Sequence, residues 1–324
     1  MKIKKGQPIE LEVTGIAFGG RGLSRVEGMA VFVDRAVPGD RVLARVFKKK
    51  KSYAEARAVE ILSASADRIS APCEYSGICG GCKWQFLNYA RQLDYKRQHV
   101  AESLAHIGGI RDVTVHETLP SARVFGYRNK MEFSFSERRW LLPGEMEKGG
   151  LDAGMALGLH VPGTFFKVLD TRACLLQPPL GNAILNEVRA FVKNSGVPVY
   201  GLHSHVGFWR FLMLRHSVAD NRWMVNLVTA DEDLAAVQPL ADHLRARYPE
   251  VASVVNNITA SRAGVAVGER EIVLAGTASI ADRIGPYRFE ISANSFFWFP
   301  QKAIALIFFE PVTAPTPVRP ALRQ

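Results

Sequence analysis

Apolar residues recur at every second position through much of residues 7–62, glycines interrupt them at short intervals, and no helix separates the runs. Ile9, Leu11 and Val13 alternate with Glu10, Glu12 and Thr14, the two-residue period of a strand with one buried face. Gly15, Gly19, Gly20 and Gly22 break the run, and Met29 to Val33 resumes it. Val37-Pro-Gly-Asp40 is a turn, Arg41 to Phe47 alternates again before Lys48-Lys-Lys-Lys51, and a last strand is expected from about Ala54 to Leu62. Five short strands without helices leave exposed edges unless the sheet closes, so this segment predicts a small OB-like β-barrel.

Charge concentrates in the same segment. Residues 1–60 hold thirteen Lys and Arg against seven Asp and Glu, so six of the chain's ten net positive charges sit in less than a fifth of its length. A compact basic module is the electrostatic footprint of a polyphosphate binder. Lys48, Lys49, Lys50 and Lys51 are expected on a loop between strands, where such barrels meet oligonucleotides; a solvated hairpin tip is the competing reading.

A connector, residues 64–71, leads to Cys73, Cys79 and Cys82, spaced C-x5-C-x2-C, with Cys174 far along the chain. Four thiols in a chain without an apolar leader point to a metal before they point to disulfides. The small residues of Cys79-Gly-Gly-Cys82 let a tight loop turn amides toward sulfur. A [4Fe-4S] cluster, a structural zinc and no metal are the three readings of this set. The spacing departs from the C-x3-C-x2-C of radical S-adenosylmethionine enzymes, and if all four thiols are ligands none remains as a nucleophile.

A helix is expected over 85–106, with Leu93, Val100, Leu104 and Ile107 at helical spacing and Gly108-Gly109 as its stop. From Tyr127 to about Ser292 strands and helices alternate in an α+β pattern. Strands are expected at 130–136, 156–160, 208–216, 223–228, 253–258 and 272–275, and helices at 184–193 and 234–247. Within Tyr127-Arg-Asn-Lys-Met-Glu-Phe-Ser-Phe135, Arg128 and Lys130 are candidates to meet phosphates while aromatics stack bases; an ordinary amphipathic strand with Met131, Phe133 and Phe135 in the core reads equally well. The eight histidines show no zinc-hydrolase spacing, and Gly19-Gly-Arg-Gly22 lacks the following helix of a cofactor loop. No apolar stretch approaches the roughly 20 residues of a spanning helix, and 48% apolar with 22% charged residues is a globular composition. No membrane partner and a cytoplasmic location are therefore expected.

By these residues and motifs, the chain resembles the S-adenosylmethionine-dependent RNA uracil-C5 methyltransferases, most closely those acting on 23S ribosomal RNA. Gly15-Ile-Ala-Phe-Gly-Gly-Arg-Gly22 and Val37-Pro-Gly-Asp40 resemble the TRAM domain of that family. Cys73, Cys79, Cys82 and Cys174 are similar to its four [4Fe-4S] ligands. Tyr127 to Phe133, Leu157-Gly-Leu-His160 with Pro162-Gly163, and Ile291-Ser-Ala-Asn-Ser-Phe-Phe297 also match its motifs. The resemblance implies a multi-domain chain: a TRAM-like, RNA-binding β-barrel over 1–63, and an α+β central domain with the cluster-binding loop over 64–292. It implies RNA, foremost 23S rRNA rather than transfer RNA, as partner, a monomeric state, and S-adenosylmethionine as cofactor of the full-length enzyme. In such enzymes a thiolate adds to uracil C6, C5 takes the methyl group, and a base removes the C5 proton from a flipped-out nucleotide.

The family continues after Ser-Phe-Phe with a cofactor-binding Gln and a Rossmann-like catalytic domain. Here Trp298 stands at the Gln position, and five of the 17 prolines fall within residues 298–324, with an apolar stretch from Ala303 to Phe309. Residues 293–324 therefore read as a divergent Pro-rich tail of the kind a frameshift leaves. On this reading the Rossmann-like methyltransferase domain is absent, no catalytic or S-adenosylmethionine-binding residue can be assigned, and the chain alone is inactive. A non-catalytic iron-sulfur RNA-binding protein and a zinc-stabilised binding module are the alternatives.

Overall fold

The alternation at the start of the chain produces six strands: β1 (Pro8–Glu12), β2 (Gly15–Ala17), β3 (Arg21–Val26), β4 (Met29–Asp34), β5 (Arg41–Lys49) and β6 (Tyr53–Ser63). Their order in the sheet is β1-β5-β6-β4-β3-β2. The two ends of that order are consecutive in the chain, separated only by Val13 and Thr14, and the Thr14 amide donates to the Leu23 carbonyl at 2.9 Å. One bent segment thus serves both edges and curls the sheet into a barrel, which leaves no long open edge. Its interior holds Ile9, Leu11 and Val13, which the alternation nominated, together with Val31, Val33, Val42, Ala44, Val46, Ala54, Ala56 and Ala58. Five strands were expected and six form, because the glycine-punctuated stretch after Thr14 folds into the short β2 and β3.

Two glycines explain the punctuation. A Cβ on Gly22 would lie 2.8 Å from Val13 Cγ1, inside the barrel seam. Gly20 has φ of +87°, and a Cβ there would lie 2.4 Å from Nε1 of Trp84, which donates to the Gly20 carbonyl at 3.0 Å.

The computed structural model describes residues 3–146 and 154–297. They form two compact units: one runs to residue 122 and includes 161–163, and the other takes in 123–160 and the residues from 164. Trp298 and the stretch from Ala303 to Phe309 lie outside the described residues.

In the first unit the Val37–Asp40 turn ties the barrel to the start of the connector. Asp40 is fully buried and accepts from the amides of Val37 (2.8 Å) and Ser65 (3.0 Å) and from Nη2 of Arg68 (2.7 Å). Burial alone would raise its pKa; these donors outweigh that and hold the carboxyl below its ordinary value. Helix α1 (Tyr89–His106) begins four residues later than expected, because Asn88 Oδ1 caps the Ala90 amide at 2.9 Å and Leu87 is held in a bridge to Arg68. No residue of α1 is buried, so its apolar positions do not form the inward stripe that their spacing suggested.

The second unit is built from β7 (Lys130–Ser136), the single turn α2 (Pro143–Met146), β8 (Ala156–Gly158), α3 (Pro179–Ser195), β9 (Trp209–Ser217), β10 (Arg222–Thr229), α4 (Leu234–Arg247), β11 (Val251–Ile258), β12 (Arg270–Gly276), β13 (Ser279–Ile284) and β14 (Tyr287–Ser292). Six strands make one sheet in the order β12-β11-β10-β9-β7-β8, antiparallel except for β10 and β11, which α4 connects. α3 lies against β8 and β9, and α4 against β11 and β12. Ile184, Leu185, Val188, Val237, Leu240 and Leu244 supply their buried stripes. β9 and β10 are buried almost throughout, the mark of strands covered on both faces. The hairpin β13–β14 covers part of the sheet: Ile280, Ile291 and Ala293 pack on Met224 and Val255.

Candidate functional site

Strand alternation sends Met131, Phe133 and Phe135 into the core and sets Lys130, Glu132 and Ser134 on the other face of β7. The aromatics of this strand are therefore core residues and present no ring to a base. In register, Lys130 pairs with Arg215 of β9 and Glu132 with Met213. Arg215 is buried, and the loss of water pulls its pKa from the usual arginine value to about 10, with Glu132 pulling the other way. Its Nε and Nη2 donate to the Ala293 carbonyl at 3.1 and 2.9 Å, and Nη2 donates also to that of Ser295. Asn294 Nδ2 donates to Asn257 Oδ1 at 2.8 Å, and Asn257 Nδ2 donates in turn to Asn226 Oδ1. Residues 293–295 are thereby clamped to the sheet at three consecutive positions.

His160 completes this face. Its Nε2 lies 2.7 Å from Ser134 Oγ, and Nδ1 is buried with no hydrogen-bond partner among the described residues. Burial lowers its pKa, so the imidazole is neutral near pH 7. Lys130, half-buried, is lowered first by burial and then by Arg215, while Glu132 at 3.8 Å opposes both. The three segments singled out in the sequence, 127–133, 157–160 and 291–297, thus meet on one sheet face, His160 through Ser134 and residues 293 and 295 through Arg215 beside Lys130. Arg215 and Asn257 escaped the sequence reading. The available signal was an arginine at either end of the apolar run Phe211-Leu-Met-Leu214, Arg210 before it and Arg215 after it.

The other candidate residues fall elsewhere. Lys48 and Lys49 belong to β5, so only Lys50 and Lys51 occupy the turn. Lys48 Nζ is paired with Glu55 Oε1 at 2.5 Å, and Glu55 also takes Arg21 at 2.9 Å. Lys49, Lys50 and Lys51 are exposed. Arg128 is partly buried, and its amide donates to the Leu176 carbonyl at 2.8 Å.

None of the four cysteines is in a disulfide; Cys174 is buried and the others partly so. Cys73 lines a cleft of about 400 Å³ with Arg35, Arg68 and Phe86, and its pKa is raised by burial and further by the nearby Cys82. The Gly81 amide donates to Cys79 Sγ at 3.3 Å, the amide-to-sulfur contact anticipated for this loop. The donor chemistry suits a soft metal. As arranged, though, no three His, Cys, Asp or Glu side chains among the described residues come together closely enough to hold one.

Comparison with known proteins gives this architecture its class. Residues 2–59 match the TRAM domain family, and the barrel is that domain. A protein of Chlorobaculum tepidum named as an uncharacterized RNA methyltransferase is 42% identical over 302 residues, which is 92% of this chain and 62% of that one. A protein of Porphyromonas gingivalis with the same kind of name is 34% identical over 298 residues, 89% of this chain and 63% of that one. In fold, the chain is similar to the crystal structure of the Pyrococcus abyssi tRNA (uracil-54, C5)-methyltransferase in complex with S-adenosyl-L-homocysteine. The TM-score is 0.65 at 22% identity, covering 92% of this chain and 63% of that one. The chain is thus similar, along nearly its whole length, to proteins named as RNA methyltransferases, and it spans about three fifths of the length of the curated relatives it matches.

The expectation that the methyltransferase fold is absent is corrected by these matches. The likeness in fold and in sequence extends over 92% of the chain, so inactivity does not follow from the divergent tail. No helix among the described residues is long and apolar enough to cross a membrane.

Proposed function

We propose that these residues recognise RNA for methyl transfer from S-adenosylmethionine to uracil C5. The observation that carries the proposal is the 42% identity to an RNA methyltransferase over 92% of the chain. Two features support it: the barrel is a TRAM domain with an exposed lysine tip, and the family motifs are gathered on the Arg215 face. The P. abyssi protein is a tRNA (uracil-54, C5)-methyltransferase in complex with S-adenosyl-L-homocysteine; the uracil-C5 chemistry and the cofactor are carried over from there and from the sequence motifs. A large ribosomal RNA target is retained from the motif resemblance, as are the monomeric state and the cytoplasmic location.

The residues described contribute binding and orientation. Cationic side chains at the barrel tip meet the RNA backbone and fix its position, while sequence must be read elsewhere. The Arg215 clamp holds Ala293–Ser295, the lead into the segment that the resemblance assigns to the cofactor. A [4Fe-4S] cluster on Cys73, Cys79, Cys82 and Cys174 is proposed on the strength of their spacing and of the amide directed at Cys79. Nothing in the methyl transfer is routed through it.

The test is genetic and chemical. Deleting the locus is expected to remove 5-methyluridine from one position of cellular RNA, mapped by mass spectrometry, and the intact gene should restore it. An unchanged RNA would sink the methyltransferase reading. Brown protein with broad absorption near 400 nm after anaerobic purification is expected for the cluster, and colourless, iron-free protein would overturn it.

A further inference from the structure

A second basic and aromatic site lies in the second unit. A pocket of about 370 Å³ is lined by Glu137, Arg138, Arg139, Trp140, Phe166, Lys167 and His203, among others. Its volume falls at the low end of small-ligand sites, about 300–1,000 Å³, which is room for one nucleoside. Three rings meet at its rim: Phe166 lies 5.3 Å from His203 and 5.4 Å from Phe165, and Phe165 lies 5.9 Å from His203. Phe165 is 65% exposed, Phe166 40% and Trp140 37%. Such exposure of large rings in one place is costly unless something covers them.

The charge beside these rings is positive. Lys167 Nζ sits 3.9 Å from the centre of the Trp140 ring and 5.7 Å from that of Phe166. A cation over an exposed ring is held only weakly, so Lys167 can leave Trp140 for a phosphate. Arg138 is exposed, and Arg139 is spent on Glu145 at 2.8 Å. Exposed rings with mobile cations at their edges suit a ligand that has a flat π-face and a phosphate on either side.

We propose that this pocket binds a single unpaired nucleobase of the RNA substrate, stacked on Phe166 and His203, with the adjoining phosphates on Lys167 and Arg138. The proposal rests on the RNA-binding reading above and adds to it a base-stacking site outside the barrel.

The experiment measures binding of a fluorescein-labelled single-stranded uridine 12-mer to the full chain by anisotropy, across a range of salt. Stacking of one base is worth about 1–3 kcal/mol, so Phe166→Leu is expected to weaken binding about 5- to 150-fold with an unchanged salt slope. Phe166→Tyr, which keeps a ring, should bind like the wild type. Lys167→Ala should lower the slope by about 0.7. Circular dichroism melts of each variant establish folding, and the leucine and tyrosine pair separates ring loss from packing loss. Wild-type binding that is weakened by Lys49→Ala/Lys50→Ala/Lys51→Ala, but not by Phe166→Leu or Lys167→Ala, overturns the pocket and leaves the RNA reading standing. Absence of binding by the wild type overturns both.

Discussion

Replacing Asp40 by Asn tests whether this carboxylate fastens the barrel to the connector. The substitution preserves volume and removes one negative charge from a fully buried site. Asp40 takes four donors: the amides of Val37 and Ser65, and Nε and Nη2 of Arg68. An asparagine offers one acceptor oxygen and points an NH₂ at the rest, so at least one amide loses its acceptor and Arg68 loses the charge that it pairs with. Breaking one side of a buried ion pair costs about 3–5 kcal/mol. For a unit near 120 residues, at about 4 °C per kcal/mol, the melting temperature should fall by about 12–20 °C. Thermal melts followed by far-ultraviolet circular dichroism read this directly.

The pH dependence supplies a second arm. The folded carboxyl has a lowered pKa, so its contribution is present above the unfolded value of about 3.9 and is lost as pH falls through the folded value. The gap between wild type and Asp40→Asn should therefore be full at pH 7 and narrow below about pH 4. A loss under about 1 kcal/mol at pH 7, or a gap that does not change with pH, would refute the role given to this carboxylate.

Three further outcomes are expected. Lys49→Ala/Lys50→Ala/Lys51→Ala should reduce the salt slope of single-stranded RNA binding by about 2, at about 0.7 per phosphate contact; an unchanged slope in filter binding would place the barrel tip off the RNA. Arg215→Met strands the carbonyls of Ala293 and Ser295, at about 1–3 kcal/mol for unpaired buried groups, and should speed amide exchange over residues 293–297 while the sheet amides stay protected. His216 stacks on Trp223 at 4.5 Å, and its pKa is lowered by burial, so its contribution is present above about pH 6.5 and lost as pH falls through the folded value. The urea midpoint should drop from pH 7 to pH 5, and His216→Phe should remove part of that drop.

Much of the architecture was legible in residue order because it depends on local periodicity. Ile9, Leu11 and Val13 could face only one way in a strand, and each is buried in the barrel. Strand β7 falls at the residues its alternation marked, and α4 spans the expected 234–247. The start of α1 was misplaced, because Leu87 is claimed by its bridge to Arg68, a contact that spacing within the helix cannot reveal. The hairpin β13–β14 was missed: its β14 strand is exposed at four consecutive positions and carries no clean alternation.

By itself the sequence determined the barrel, the strands and helices of the second unit, the resemblance to RNA uracil methyltransferases, and the identity of the candidate cations and thiols. These come from periods of two and 3.6 residues and from motifs contiguous in the chain. Tertiary structure alone decided which of them meet. Pairing of β7 with β9 sets Lys130 beside Arg215, and burial of that arginine turns it into a clamp for residues 293–295 lying 78 to 80 positions away. Lys48, indistinguishable from its neighbours in the run, is taken up by Glu55 across the hairpin. The rings of the proposed base pocket come from positions 140, 166 and 203, and no period connects them. Hydrogen bonds and desolvation act through space at a few ångströms, and that proximity is set by the sheet register rather than by spacing along the chain.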